Sequence, residues 1–138
     1  MTILDTNVIS ALMNDPPEEA VVRWLDRQTR SSLWTTSITV LEIQAGLKVI
    51  PAGASQAKLS EVFDRILVML DHRVAVFGET AARLSAELNA SRRQQGRVME
   101  LRDTMIAGLV IAHHARLATR NVSHFADIGE TVVNPWAA

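Results

Sequence analysis

Asp5, Glu42 and Asp103 are the residues of this chain whose types and positions could do chemistry together. Asp5 ends the apolar run Thr2-Ile3-Leu4 and is followed by Thr6-Asn7. Such a run reads as a short buried strand. An acid at its carboxyl end lies on the edge where open α/β sheets bind ligands. Glu42 and Asp103 fall at apparent helix starts further along. Three ionised carboxylates brought within ~4–6 Å repel and raise one another's pKa. One such pair at ~4 Å costs about 4 kcal/mol at an effective dielectric of ~20. Mg²⁺ or Mn²⁺, which take oxygen ligands, removes that cost. The chemistry that such a site serves is phosphodiester hydrolysis, where metal ions activate water and clamp phosphate oxygens.

Each acid also has a purely structural reading. Asp5 could close an Asx turn and cap the next helix. Thr39 and Glu42 have the Thr-x-x-Glu spacing of a capping box, and Asp103 could be the N-cap of the helix it precedes. Whether the three converge decides between the readings, and that depends on the elements that carry them.

Apolar periodicity predicts strands over 2–4, 33–36, 74–77, 117–119 and 131–133, with helices between them. The helices are expected over 7–13, 18–27, 39–49, 54–70, 80–95 and 103–115. Asn14-Asp15-Pro16-Pro17 stops the first, Pro51 follows the third, and Thr80 and Gly96 read as cap and stop of the fifth. The last is apolar on nearly all sides, as a central helix must be. Strand and helix alternate throughout, which predicts an α/β fold: a three-layer α/β/α sandwich on a mainly parallel central sheet, in one domain over 1–138. With right-handed crossovers, strand carboxyl ends and the helix starts that follow them share one edge. Asp5 and Glu42 therefore meet there, and Asp103 joins them if its helix follows the same winding.

Composition narrows the function classes. Apolar residues make up 48% of the chain, which excludes a disordered segment. The absence of cysteine excludes a disulfide scaffold, a thiol nucleophile and a thiolate zinc site, and fits a reducing cytoplasm. No membrane-spanning apolar stretch and no signal-peptide pattern is expected. A formal net charge of -1 gives no global field for nucleic acid. Lys48 and Lys58 are the only lysines, so arginine, whose planar fork suits phosphates, dominates the cations, although GC-rich coding bias is the weightier explanation. Arg92, Arg93 and Arg97 form the main basic cluster, readable as phosphate contacts or as a helix end favoured by the dipole. Arg120 lies nearer the proposed site. His113, His114 and His124 lack partner spacing and are left outside it, and Trp34 and Trp136 read as packing residues. Walker and Rossmann glycine motifs are absent.

At the residues 3–10, 37–43, 102–107 and 117–125, reading ILDTNVIS, SITVLEI, RDTMIA and LATRNVSHF, the chain resembles PIN-domain ribonucleases. It is most similar to toxins of the VapC/FitB type from bacterial type II toxin–antitoxin pairs. Val133-Asn134-Pro135-Trp136 matches the FitB-like branch. The resemblance spans nearly the whole chain. It implies an Mg²⁺- or Mn²⁺-dependent endoribonuclease with Asp5, Glu42 and Asp103 as metal-binding and catalytic acids. It also implies roles for Thr6, Asn7, Thr119, Asn121 and Arg120 around the acids or on the substrate. Many relatives carry aspartate where Asn121 stands, so the resemblance supports one metal ion better than two. A cognate antitoxin, an RNA substrate, a homodimer, and assembly on DNA through the antitoxin are implied as well, with no membrane involved. Two other readings compete. One is a non-catalytic PIN-like module that binds RNA or protein, against which the presence of all three acids argues. The other is a phosphotransfer or receiver domain, for which a second acid at Asn7 or a late lysine is missing.

Overall fold

The layering follows from two adjacent residues of the first strand. Successive side chains on a strand point to opposite faces, so Ile3 and Leu4 of β1 (Thr2–Leu4) enter two different cores. The computed structural model describes residues 1–138. Leu4 packs with residues of α1 (Thr6–Met13), α2 (Glu19–Asp26), α3 (Ser37–Val49) and α4 (Ala54–Met69). Ile3 packs with α5 (Glu79–Gln94) and α6 (Leu101–His113) on the other side. The sheet between them is completed by β2 (Leu33–Thr36), β3 (Val74–Ala75), β4 (Arg116–Ala118) and β5 (Val132–Val133). All four neighbouring pairs are parallel, in the order β3-β2-β1-β4-β5. The architecture is the expected three-layer sandwich.

This strand order creates the functional edge. The chain steps outward from β1 to β2 and β3, then crosses through α5 and α6 to β4 on the other side of β1. The winding therefore reverses between β1 and β4. A crevice opens outside the strand carboxyl ends at such a switch point. The Asp5 N–H donates to the Ala118 carbonyl at 2.9 Å, carrying the β1–β4 ladder to the residue that enters the crevice.

Several helix ends differ from the periodicity reading. α3 starts at Ser37 because Thr36 caps it: its hydroxyl accepts the Thr39 N–H at 3.0 Å. The Thr39–Glu42 capping box does not form, and the Glu42 carboxylate is free for other contacts. α5 starts at Glu79 after Gly78, with no side-chain cap from Thr80. α6 starts at Leu101, so Asp103 lies in its first turn and is not its cap. β3 ends at Ala75 because Val76 turns outward and the Phe77 N–H leaves the ladder for Ser37 Oγ at 3.1 Å. Gly108 lets α6 press against α5: a Cβ there would stand 2.6 Å from the Ala81 carbonyl oxygen. No helix is long and apolar enough to cross a membrane.

Candidate metal centre

Asp5 sits between the end of β1 and the start of α1 and is only 4% exposed. Its Oδ1 accepts the Thr6 N–H at 2.8 Å, so it does cap α1. Its Oδ2 accepts the Thr119 hydroxyl at 2.7 Å and the Asn7 amide at 3.3 Å. These donors favour the carboxylate. Burial outweighs them, and the charges of Asp103 and Glu42 add to it, so the Asp5 pKa is pushed up to about 6. Capping and site-building are the same arrangement here, one oxygen for each.

Glu42 is held by a line of threonines. Thr6 Oγ1 donates to Glu42 Oε1 at 2.8 Å and lies 2.9 Å from Thr39 Oγ1, which accepts from Thr36 Oγ1 at 3.3 Å. Each hydroxyl has one proton to give. The bond to Glu42 therefore fixes the direction of the line: Thr36 donates to Thr39, Thr39 to Thr6, and Thr6 to Glu42. The other Glu42 oxygen is 3.8 Å from Arg102 Nη1, and Arg102 also pairs with Glu100.

Asp103 projects from the first turn of α6, with Oδ2 3.6 Å from His124 Nδ1. Burial and the nearby Glu100 charge raise its pKa, against the opposing pull of His124. Thr119, wholly buried after β4, ties the remaining residues together. Its oxygen donates to Asp5 and accepts the Asn7 amide at 3.2 Å and the Asn121 N–H at 3.1 Å. The Arg120 N–H donates to Asn7 Oδ1 at 3.1 Å.

These groups surround a cleft of about 580 Å³, whose lining includes Asp5, Thr6, Asn7, Glu42, Asp103, Arg120 and Asn121. Thr119 lies beneath it. No three acids or histidines are posed to grip an ion as they stand. Glu42 leans to the Thr6 hydroxyl and the Arg102 guanidinium, and Asp103 leans to His124, contacts that draw the carboxylates apart. The donor set is still the one that a hard divalent cation takes, carboxylate and amide oxygens on one open cleft. Burial and the charges of Asp103 and Glu42 raise the Asp5 pKa, and a cation held among these oxygens would offset both.

Sequence reasoning missed some of the lining. Glu100 and His124 face the same cleft. Glu100 is the residue from which the chain enters α6, and the first turn of that helix brings Asp103 to the same cleft. His124 is carried in by a 3₁₀ turn over Val122–Phe125 that no periodicity announced. Trp136 packs on the core beside α1–α4, as expected, but it also lines the cleft. Arg92 and Arg97 point elsewhere, to Asp127, Arg93 is exposed, and none of the three lines the cleft.

The sequence matches the family model described as PIN domain over residues 2–130. It is 37% identical to the VapC ribonuclease Y4jK of Sinorhizobium fredii over 99% of this chain and 98% of that protein. It is 31% identical to the toxin FitB of Neisseria gonorrhoeae over 99% of each. The crystal structure of FitAcB from the same organism superposes with a TM-score of 0.90 at 31% identity, covering 100% of both chains.

Proposed function

The chain belongs to the PIN-domain family, and from that premise we propose that it is a metal-dependent endoribonuclease, the toxin of a bacterial toxin–antitoxin pair. The observation that carries this reading is the buried Asp5 carboxylate facing Glu42 and Asp103 in a cleft at the topological switch point. The near full-length likeness to a VapC ribonuclease gives the cleft its reaction. Asp5 and Asp103 would hold one Mg²⁺ or Mn²⁺, with Glu42 binding it or orienting the attacking water. Asn121 carries no charge, so the donor set favours a single ion. When bound, the ion polarises the phosphate and lowers the pKa of water.

The protein's own residues do the rest. Thr119 and the Thr6 N–H lock the Asp5 carboxylate in one rotamer. The threonine line fixes one oxygen of Glu42 at the cleft wall. Asn7 couples the Asp5 carboxylate to the backbone at Arg120, so the acid and the segment after β4 keep a fixed relation.

The partners follow from the same reading. A groove lined by Met13, Ile43, Leu47, Ile50 and Leu59 runs between α1, α3 and α4 and opens beside Glu42 and Arg102. It suits an amphipathic antitoxin segment whose end reaches the acids, and through which the pair would assemble on DNA. Exposed Leu41 and Leu101, on the contacting helices α3 and α6, give a face for a homodimer. RNA as substrate places the activity in the cytoplasm.

The test is cleavage of RNA by the purified chain. Activity should vanish with chelator and return with Mn²⁺, and Asp103→Ala should stay at background while keeping its helical circular dichroism. Chelator-resistant cleavage, or full activity in Asp103→Ala, would overturn the reading.

A further inference from the structure

Arg120 differs from the other arginines around the cleft. Arg102 is taken up by Glu100 and Glu42, and Arg92 and Arg97 by Asp127. Arg120 is exposed, is the one arginine in the lining of the cleft, and joins no ion pair although acids surround it. Its guanidinium donates no hydrogen bond within the protein; its recorded contact through nitrogen is the backbone N–H to Asn7. What holds the side chain is Trp136, whose ring centroid is 5.1 Å from Arg120 Cζ. A cation–π contact engages the guanidinium without consuming its N–H donors, which lie in its plane.

Trp136 is itself anchored. It is partly buried against the core beside α1–α4. Its backbone N–H donates to Asn134 Oδ1 at 2.9 Å in the turn that follows β5, and β5 pairs with β4, which leads into Arg120. The guanidinium is thus held at the cleft wall, by its backbone on Asn7 and by its side chain on Trp136. A long arginine beside carboxylates otherwise collapses onto them. Stacking on Trp136 keeps the fork available for an external anion of the geometry that arginine matches bidentately, a phosphate.

We propose that Arg120 and Trp136 form a phosphate subsite for the RNA strand beside the acids, with Arg120 binding a backbone phosphate and Trp136 as the positioning residue that holds it there. This rests on the ribonuclease reading and adds the group that seats the strand. Steady-state cleavage of a short single-stranded RNA with Mn²⁺ tests it, together with calorimetric Mn²⁺ binding. Arg120→Ala and Trp136→Leu should each raise KM about tenfold and leave kcat within about twofold, as loss of one charge-assisted contact made equally in ground and transition states requires. The double variant should be no worse than either single one. Both should flatten the salt dependence of RNA binding by about one unit of slope, and Mn²⁺ affinity should not change. Trp136→Phe, which keeps a ring face, should recover most of the KM and covers the case in which Trp136→Leu does not fold. An unchanged KM in Trp136→Leu, effects that add in the double variant, or a Trp136→Phe variant as impaired as Arg120→Ala would overturn the proposal. If the wild-type chain binds RNA without cleaving it, the ribonuclease reading falls. RNA anisotropy then reads the subsite directly: weaker binding in both variants keeps it, and unchanged binding removes it.

Discussion

Asp103 and Thr104 are neighbours in the first turns of α6, yet they face two regions that treat buried charge in opposite ways. Thr104 Oγ1 accepts from Arg92 Nη1 at 3.0 Å. Arg92 is 1% exposed and grips Asp127 with two parallel bonds, at 2.8 and 2.9 Å, while also donating to the His124 carbonyl at 2.8 Å. Every charge in that knot has its counter-charge, and Arg92 holds the Asp127 carboxyl below the usual range. Asp103 faces the cleft, where Asp5, Glu42 and Glu100 add charge of the same sign and burial pushes Asp5 up to about 6. A satisfied buried ion pair fastens elements together. A set of like charges converging on one cleft, with pKa values raised by burial and by one another, is the signature of a functional site. The knot joins α5, α6 and the 3₁₀ turn behind the cleft, so the closed region sets the geometry of the open one.

The largest effect should come from breaking the knot. Arg92→Met leaves the Asp127 carboxylate without its partner and should destabilise the fold by about 3–5 kcal/mol, read from urea midpoints. A loss no greater than that of an exposed arginine such as Arg93 would erase the contrast between the regions.

The pH dependence of stability should separate them by sign. Asp5 has a folded pKa above its unfolded value near 3.8, so its contribution is complete below that value and is lost as pH rises from about 4 to 6. A shift of that size is worth about 3 kcal/mol. Asp127 has a folded pKa below its unfolded value, so its contribution is present above about pH 4 and is lost as pH falls through the lower value. In metal-free denaturation series, Asp5→Asn should remove the decline between pH 4 and 6, and Asp127→Asn should remove the loss on the acid side. If Asp5→Asn leaves the decline in place, another group carries it and Asp5 is not the charged residue of the cleft.

The smallest effect sharpens the cleft itself. Thr119→Val keeps the shape of a buried side chain but removes the donor to Asp5 and the acceptor for Asn7 and Asn121. Cleavage should fall about 10–100-fold, the usual cost of losing a group that orients a metal ligand, with stability lowered by only about 1–3 kcal/mol for the buried partners left unpaired. An unaffected rate would mean that Asp5 needs no help from β4.

The elements were legible wherever local pattern is strong. The buried runs ending at Leu4 and Thr36 read as strands, and the stripe from Leu59 to Leu70 read as a helix, because periodicity needs only neighbouring residues. Helix starts were less legible. Thr36 and Thr39 are both good caps, and only the path of the chain out of β2 selects Thr36, which frees Glu42 from a capping box. Arg92 was readable as a surface phosphate contact because nothing in Arg92-Arg93 says which one turns inward. Asp127 decides that, from 35 residues away. His124 is illegible for the same reason: its partner Asp103 is on another element, and a 3₁₀ turn brings them together.

Local pattern in the chain carries the alternation of strand and helix, the short buried run that becomes β1, and the acids at element ends with the hydroxyls and amides beside them. These depend on side-chain type and short-range spacing, which the chain carries directly. The tertiary structure alone decided that the winding reverses between β1 and β4, so that Asp5 meets Thr119 across 114 residues. It also decided which arginines are neutralised inside and which one is left stacked on Trp136 with its donors free. Desolvation and charge pairing depend on what surrounds a group in space, and those surroundings exist only once the sheet has closed the distance.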